Sequence, residues 1–215
     1  MQRNSDSPAS AAPGFVYLAS QSARRAQLLE QIGVPHRLLL PDPDEDTEAL
    51  EQPLTRETPT RYVQRVTALK LDAALARLAR RGWPAAPVLC ADTSVALGRV
   101  IFGKPTDAAD AGRMLAALSG RRHRVLTALA LQHGAQRLSA LSRSQVVMAR
   151  LDPAQIERYV ASGEAFGKAG AYAVQGRAAA FIAELHGNYS GIMGLPLFET
   201  AQLLRQLDCA LQGDF

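Results

Sequence analysis

Short apolar runs alternate along this chain with stretches whose apolar residues recur at helical spacing, and that alternation constrains the fold more than any other feature. FVYLA at Phe15 to Ala19 reads as a buried strand. SQSARRAQLLEQIG follows, with Ala26, Leu28, Leu29 and Ile32 at helical spacing and Gly33 as a C-terminal stop. HRLLL reads as a second strand, and PDPDEDTEALEQ as a loop with six carboxylates between Asp42 and Glu51. A long helix is predicted from Thr58 to about Arg81, capped by Thr58 with Pro59 at its first position. Val63, Val66, Leu69 and Ala73 form its apolar stripe, with Lys70 on the edge. PVLCADTSVALGRVIFGKP predicts a buried strand, a polar break at Asp92-Thr93 and a hairpin turning at Gly98-Arg99. Beyond it come a helix capped by Thr106, two β segments meeting at His133-Gly134, a capped helix in DPAQIERYVASG, a strand in AAAFIAEL and a closing helix in GLPLFETAQLLRQLDCAL. Hairpins and crossovers together define an α/β fold with a mixed sheet and flanking helices.

Composition narrows the function classes. The 215 residues are 47% hydrophobic, enough for a real core, and no repeat or linker divides them. A single domain over residues 15–215 is expected, behind a disordered tail at residues 1–14. That opening, MQRNSDSPASAAPG, lacks the apolar core of a signal peptide. The apolar runs fall far short of the roughly 20 residues that cross a bilayer. No membrane association is expected, and the cytoplasm is the expected compartment. Cys90 and Cys209 have no CxxC spacing and the four histidines no HxxxH pairing, so neither a disulfide framework nor a zinc site is supported. A net charge of +4 favours an anionic partner. Because the basic residues lie in scattered pairs without interleaved aromatics, a stable nucleic-acid complex is not expected.

Four stretches can carry chemistry. GRVIFGKP nearly matches the Walker A pattern, but Pro105 stands where a hydroxyl is needed and biases Lys104 away from the helix a P-loop must enter. It is not a P-loop, and on this stretch alone Lys104 reads as an ordinary surface lysine more readily than as a phosphate contact. SQSARR is the better anion cradle: Ser20, Ser22 and the amides of a helix start face outward, with Arg24 and Arg25 in the first turn. Two cations there oppose the helix dipole, a conflict that a bound anion relieves. A capping serine beside two solvated arginines is the plainer alternative. ADTS places Asp92 directly after a buried strand, where α/β sheets carry functional carboxylates, although turn aspartates are commoner. Glu45, in the acidic loop, is a candidate partner for Asp92. Two separated acids amid basic groups suit Mg²⁺ bound to a triphosphate, since hard cations take carboxylate and phosphate oxygens.

In order, LASQSARRAQLLEQIGV, the Asp44-Glu45 loop, Lys70, LCADTSV, FGKP, MLAALSGRRHRVLTALAL, KAGAYAVQG and GNYSGIMGLPLFET resemble the Maf family of nucleoside triphosphate pyrophosphatases, from Phe15 to Leu207. One departure is Ala23, where the family usually reads proline in SPRR. The resemblance implies two lobes around a deep cleft, often in a homodimer, and hydrolysis of a nucleoside triphosphate to its monophosphate and pyrophosphate with Mg²⁺ or Mn²⁺. It implies Asp92 as proton acceptor, with Glu45 and Lys70 as catalytic partners and Glu45 and Asp92 holding the metal. Ser20, Arg24, Arg25, Thr93, Lys104 and Gln175 match substrate-binding positions. AYAVQG is similar to the dTTP/UTP branch, whereas a 7-methyl-GTP branch carries Glu in place of Gln175. A carboxamide offers an acceptor and two donors, matching the imide N–H and carbonyl of uracil or thymine. The alternatives are a 7-methyl-GTP pyrophosphatase of the same family and a non-catalytic nucleotide- or nucleic-acid-binding regulator of cell division. Gln175 weighs against the first, and the set of Asp92, Glu45, Lys70 and Lys104 against the second.

Overall fold

A computed structural model describes residues 14–46 and 49–207. The expected tail, apart from Gly14, lies outside the described residues, as do Cys209 and the last part of the expected closing helix.

Among the described residues, seven strands form one mixed sheet. β1 (Val16–Leu18), β2 (His36–Leu38) and β3 (Val88–Leu97) pair in parallel, and β5 (Arg122–His133), β6 (Gln136–Met148) and β7 (Ile182–His186) continue the sheet antiparallel, in the order β2-β1-β3-β5-β6-β7. The short β4 (Val100–Phe102) folds back on β3 through the turn at Gly98, whose φ of 61 suits glycine. Alternation across the pleat sends side chains to two faces. Val16, Leu18, Leu89 and Leu129 pack under α1 (Ala23–Gln31) and α6 (Leu197–Gln206). Tyr17, Val88, Cys90 and Ala130 pack under α2 (Pro59–Arg80), through its Leu71, Ala74 and Leu78. The far ends of the long strands carry a separate cluster, in which Val95, Val125, Val146 and Met148 meet α3 (Ala108–Leu118) and α4 (Pro153–Ala161). A five-residue helix α5 (Tyr189–Met193) precedes α6.

Several predicted details change. β3 runs unbroken through Asp92 and Thr93, which pair with Ala128 and Thr127 of β5. Asp92 therefore lies inside the strand and not after its end, because pairing with β5 continues on one side whatever happens on the other. α3 is capped by Asp107, which accepts from the Asp110 amide, and Thr106 instead bonds the Asp110 carboxylate. In AAAFIAEL the strand starts only at Ile182, after a 3-10 turn over Arg177–Phe181. Buried positions of α2 follow Val63, Val66, Leu71 and Ala74, with Leu69 at the surface.

The strand register creates the crevice. β1 pairs with β3 only at Val88 and Leu89, and β4 only from Val95 onward. Between them, one edge of β3 from Cys90 to Ser94 is open. The turn leaving β1 passes this gap, as does the middle of α2, which bears Lys70, in the manner of a topological switch point.

Candidate active site

The gap opens into a cleft of about 720 Å³, within the range that encloses a small-molecule ligand. Asp92 and Thr93 leave β3 on opposite faces at this edge, so one strand supplies both walls. On the α2 face, Lys70 Nζ donates to Asp92 Oδ1 at 2.5 Å and to Glu51 Oε1 at 2.7 Å. Lys104 Nζ reaches the same Glu51 oxygen at 3.4 Å. Burial alone would lower the Lys70 pKa, but the Asp92 and Glu51 carboxylates outweigh it and hold the ammonium above its ordinary value. Glu51 shows the reciprocal balance: burial opposes ionisation, and Lys70 and Lys104 more than offset it, so its carboxyl lies below the usual range.

Glu51 is the cleft carboxylate that sequence reasoning missed. It ends a 3-10 turn, Ala49–Glu51, that α2 fixes in place: Tyr62 Oη donates to the Glu51 carbonyl at 2.8 Å and Arg65 Nη2 to the Gln52 carbonyl at 2.9 Å. Arg65 is itself paired with Glu57. Glu45, the predicted partner of Asp92, does not line the cleft. It is ion-paired with Arg77 and Arg80. The Arg77 side chain is 3% exposed and donates to the Leu39 carbonyl at 2.9 Å. A guanidinium so buried requires a carboxylate partner, and Glu45 fills that need. The structure thus brings Glu51, and not Glu45, near Asp92 across Lys70.

The other predicted residues, Ser20, Arg24, Arg25, Lys70, Thr93, Lys104 and Gln175, all line the same cleft. Arg25 is built in: its Nη1 donates to Ser20 Oγ at 3.0 Å and its Nε to the Gly194 carbonyl at 2.8 Å. Ser20 also accepts from the Ser22 amide at 3.1 Å. Thr93 Oγ1 lies 2.9 Å from Thr127 Oγ1, which donates to the Gly191 carbonyl at 2.7 Å. Arg24 Nε is buried with no hydrogen-bond partner among the described residues, and such an orphaned cationic donor awaits an anion. Burial lowers the pKa of Arg24, and burial with the nearby Arg24 charge lowers that of Lys168, a further cleft cation that the KAGAY stretch did not single out. Two crowded, desolvated cations mark a place for negative charge. Gln175 is exposed in the cleft, and no hydrogen bond ties its carboxamide among the described residues. Cys90, fully buried beneath the strand, has its thiol pushed up to about 12 by burial and is no nucleophile.

A divalent cation fits this donor set. Asp92 Oδ1 and Glu51 Oε1 share one ammonium and so lie within the combined length of two hydrogen bonds. No cluster of three or more metal-binding side chains occurs among the described residues. Two carboxylates with substrate phosphates completing the shell is how Mg²⁺ is usually held, and Mn²⁺ accepts the same oxygens.

Fold and site together define an α/β protein with a cationic cleft beside a carboxylate pair at a sheet edge. Residues 15–207 match the family described as Maf-like protein, and the chain belongs to that family. It is 67% identical over 191 residues to a protein of Albidiferax ferrireducens named dTTP/UTP pyrophosphatase, covering 89% of this chain and 96% of that one. A Polaromonas protein of the same name is 64% identical over 194 residues, covering 90% and 96%. A solved nucleoside-triphosphatase / dITP/XTP pyrophosphatase of Mycobacterium abscessus matches 63% of this chain and 75% of its own at 20% identity and a TM-score of 0.38.

Proposed function

We propose that this chain hydrolyses dTTP and UTP to the nucleoside monophosphate and pyrophosphate. The observation that carries the reading is the Asp92–Lys70–Glu51 triangle inside a cleft walled by Arg24, Arg25, Lys104 and Lys168. Names of relatives more than 60% identical over most of the chain support the same substrates.

Hydrolysis at the α-phosphorus needs a proton acceptor for water and cations for the charge that grows on the phosphate oxygens. Asp92 is the acceptor: one oxygen is held by Lys70 and the carboxylate borders the open cleft. Lys70 fixes the direction of Asp92 and of Glu51 and carries positive charge to the reacting phosphate. Arg24 and Lys168 take the outer phosphates, and Arg25, anchored by Ser20 and Gly194, presents a fixed charge beside them. Asp92 and Glu51 would hold Mg²⁺ or Mn²⁺, which when bound neutralises phosphate charge and polarises the scissile anhydride. Gln175 reads the base through its carboxamide, and a base with the wrong edge leaves that group unpaired at a cost of about 1–3 kcal/mol. Modified pyrimidine nucleotides share the imide edge and fall within the same substrate class.

The test is pyrophosphate release with Mg²⁺ or Mn²⁺ across dTTP, UTP, CTP, ATP, GTP and 7-methyl-GTP. Turnover concentrated on dTTP and UTP is expected. Preference for a purine nucleotide, or no turnover at all, refutes the reading.

A further inference from the structure

The turn that carries Gln175 is held by two side chains, Tyr159 and Glu164, that do not themselves line the cleft. Gly176 N–H donates to the Ala173 carbonyl at 3.0 Å, closing a turn with Val174 and Gln175 at its centre. Both ends of that turn run to one side-chain pair. The Ala173 amide donates to Tyr159 Oη at 3.2 Å, and Tyr159 Oη donates to Glu164 Oε1 at 2.8 Å. Glu164 Oε2 accepts from the Arg177 amide at 2.9 Å, and Oε1 from the Ala178 amide at 3.4 Å. Tyr159 is fixed from behind by the edge of Phe181, ring centroids 5.6 Å apart. Gly176 is part of the fit, because a Cβ there would lie 2.4 Å from the Glu164 oxygens.

We infer that Tyr159 and Glu164 are positioning residues for base selection: they latch the Ala173–Ala178 turn so that Gln175 meets the pyrimidine edge without first having to be ordered. The inference rests on the proposed dTTP/UTP activity and deepens it. Burial opposes ionisation of Glu164, but the Arg177 amide and the Tyr159 hydroxyl outweigh it and keep the carboxyl below its usual range, so the acceptor that the turn requires is the ionised form. Glu164 also lies near enough to Arg24 to favour its charge. One carboxylate thus supports the base-reading turn and a phosphate-side cation. Ordering a reader before binding raises affinity for the ligand it reads and leaves the chemical step alone.

The experiment compares wild type with Glu164→Gln, Tyr159→Phe, Gly176→Ala and the double variant Glu164→Gln/Gly176→Ala. In Glu164→Gln an amide NH₂ faces a backbone N–H, and in Gly176→Ala the new methyl displaces the turn from an intact carboxylate. Each single variant should raise KM for dTTP about tenfold, the low end for a hydrogen bond to a charged group, with kcat changed less than about threefold. The preference for dTTP over dCTP should fall by the same factor. Inhibition by inorganic tripolyphosphate, which has no base to be read, should be unchanged in Tyr159→Phe and Gly176→Ala, which keep the Glu164 charge near Arg24. The double variant should lose no more than either single change, because both break one latch. Unchanged dTTP/dCTP preference in folded variants overturns the latch, as does a parallel loss of tripolyphosphate binding in Tyr159→Phe and Gly176→Ala or additive losses in the double variant. Tyr159→Phe and Gly176→Ala carry the test if Glu164→Gln does not fold. A wild-type enzyme with no dTTP preference instead overturns the proposed function itself, a result visible before any variant is made.

Discussion

Exchanging Glu45 and Glu51 separately for glutamine divides stability from catalysis, because the two acids of one short loop serve different cations. Glu45 faces Arg77, whose side chain is 3% exposed and keeps only the Leu39 carbonyl once the carboxylate is gone. Breaking a fully buried pair costs about 3–5 kcal/mol. Glu45 is 19% exposed and shared with the exposed Arg80, so a discounted loss of about 2–3 kcal/mol is expected for Glu45→Gln. For a chain of this length that is a fall of roughly 5–10 °C in Tm. Since Glu45 does not line the cleft, kcat/KM at 25 °C should stay within about threefold of wild type, on the scale of a site without substrate contact. Glu51→Gln should do the reverse. It removes one of two carboxylates from Lys70, and kcat/KM should fall about 100-fold, roughly 2.7 kcal/mol of transition-state stabilisation, with Tm changed by only a few degrees. Thermal melts and steady-state pyrophosphate release on the same preparations read both quantities. A Glu45→Gln enzyme that melts normally but has lost turnover, beside an active Glu51→Gln enzyme, refutes the assignment.

Asp92→Asn should leave the melt within a few degrees of wild type and reduce kcat by at least 100-fold, as loss of a general base does; near-normal turnover removes Asp92 from the mechanism. Gln175→Glu should lower kcat/KM for dTTP and UTP about tenfold or more without moving Tm, through the unpaired group it places at the base, and an unchanged nucleotide profile removes Gln175 from selection. His123, 2% exposed and bonded through Nε2 to Tyr172 Oη at 2.8 Å, has its pKa pushed down to about 4 by burial. Unfolded, the ring takes up a proton below about 6.5, so the unfolded state binds more protons between about 6.5 and 4 and stability falls with pH across that window. Urea unfolding at pH 8 and pH 5 should show about 2 kcal/mol of that loss in wild type and not in His123→Phe, and equal pH dependence in the two contradicts the buried neutral ring.

Much of the sheet was legible because period and punctuation agreed: Thr58-Pro59 starts α2, Gly98 turns the β3–β4 hairpin, and Asp152 caps α4 with the reciprocal Gln155 bond. Asp92 was misplaced because a carboxylate inside an apolar run reads as a break. Only the register shows that β1 and β4 leave that edge of β3 open, so the side chain costs no packing. Choosing between Glu45 and Glu51 was beyond the sequence for a similar reason. Both lie in one acidic loop, and the choice depends on which α2 residues fold beneath each: Arg77 under the first, Tyr62 and Lys70 against the second. The helical spacing of Tyr62 and Lys70 on one face of α2 was the available signal. Arg24, Arg25 and Lys104 were legible as cations near turns, but their convergence on one cleft is a property of the fold.

In the proposed reaction, water attacks the α-phosphorus of a pyrimidine triphosphate in this cleft. Hydrolysis of dTTP in ¹⁸O-enriched water, followed by ³¹P NMR of the products, tests it most directly. Attack at the α-phosphorus yields dTMP carrying the label beside unlabelled pyrophosphate, at a rate at least 100-fold lower in Asp92→Asn. Labelled orthophosphate beside dTDP, label in the pyrophosphate, or dTTP left intact by the wild-type enzyme contradicts it.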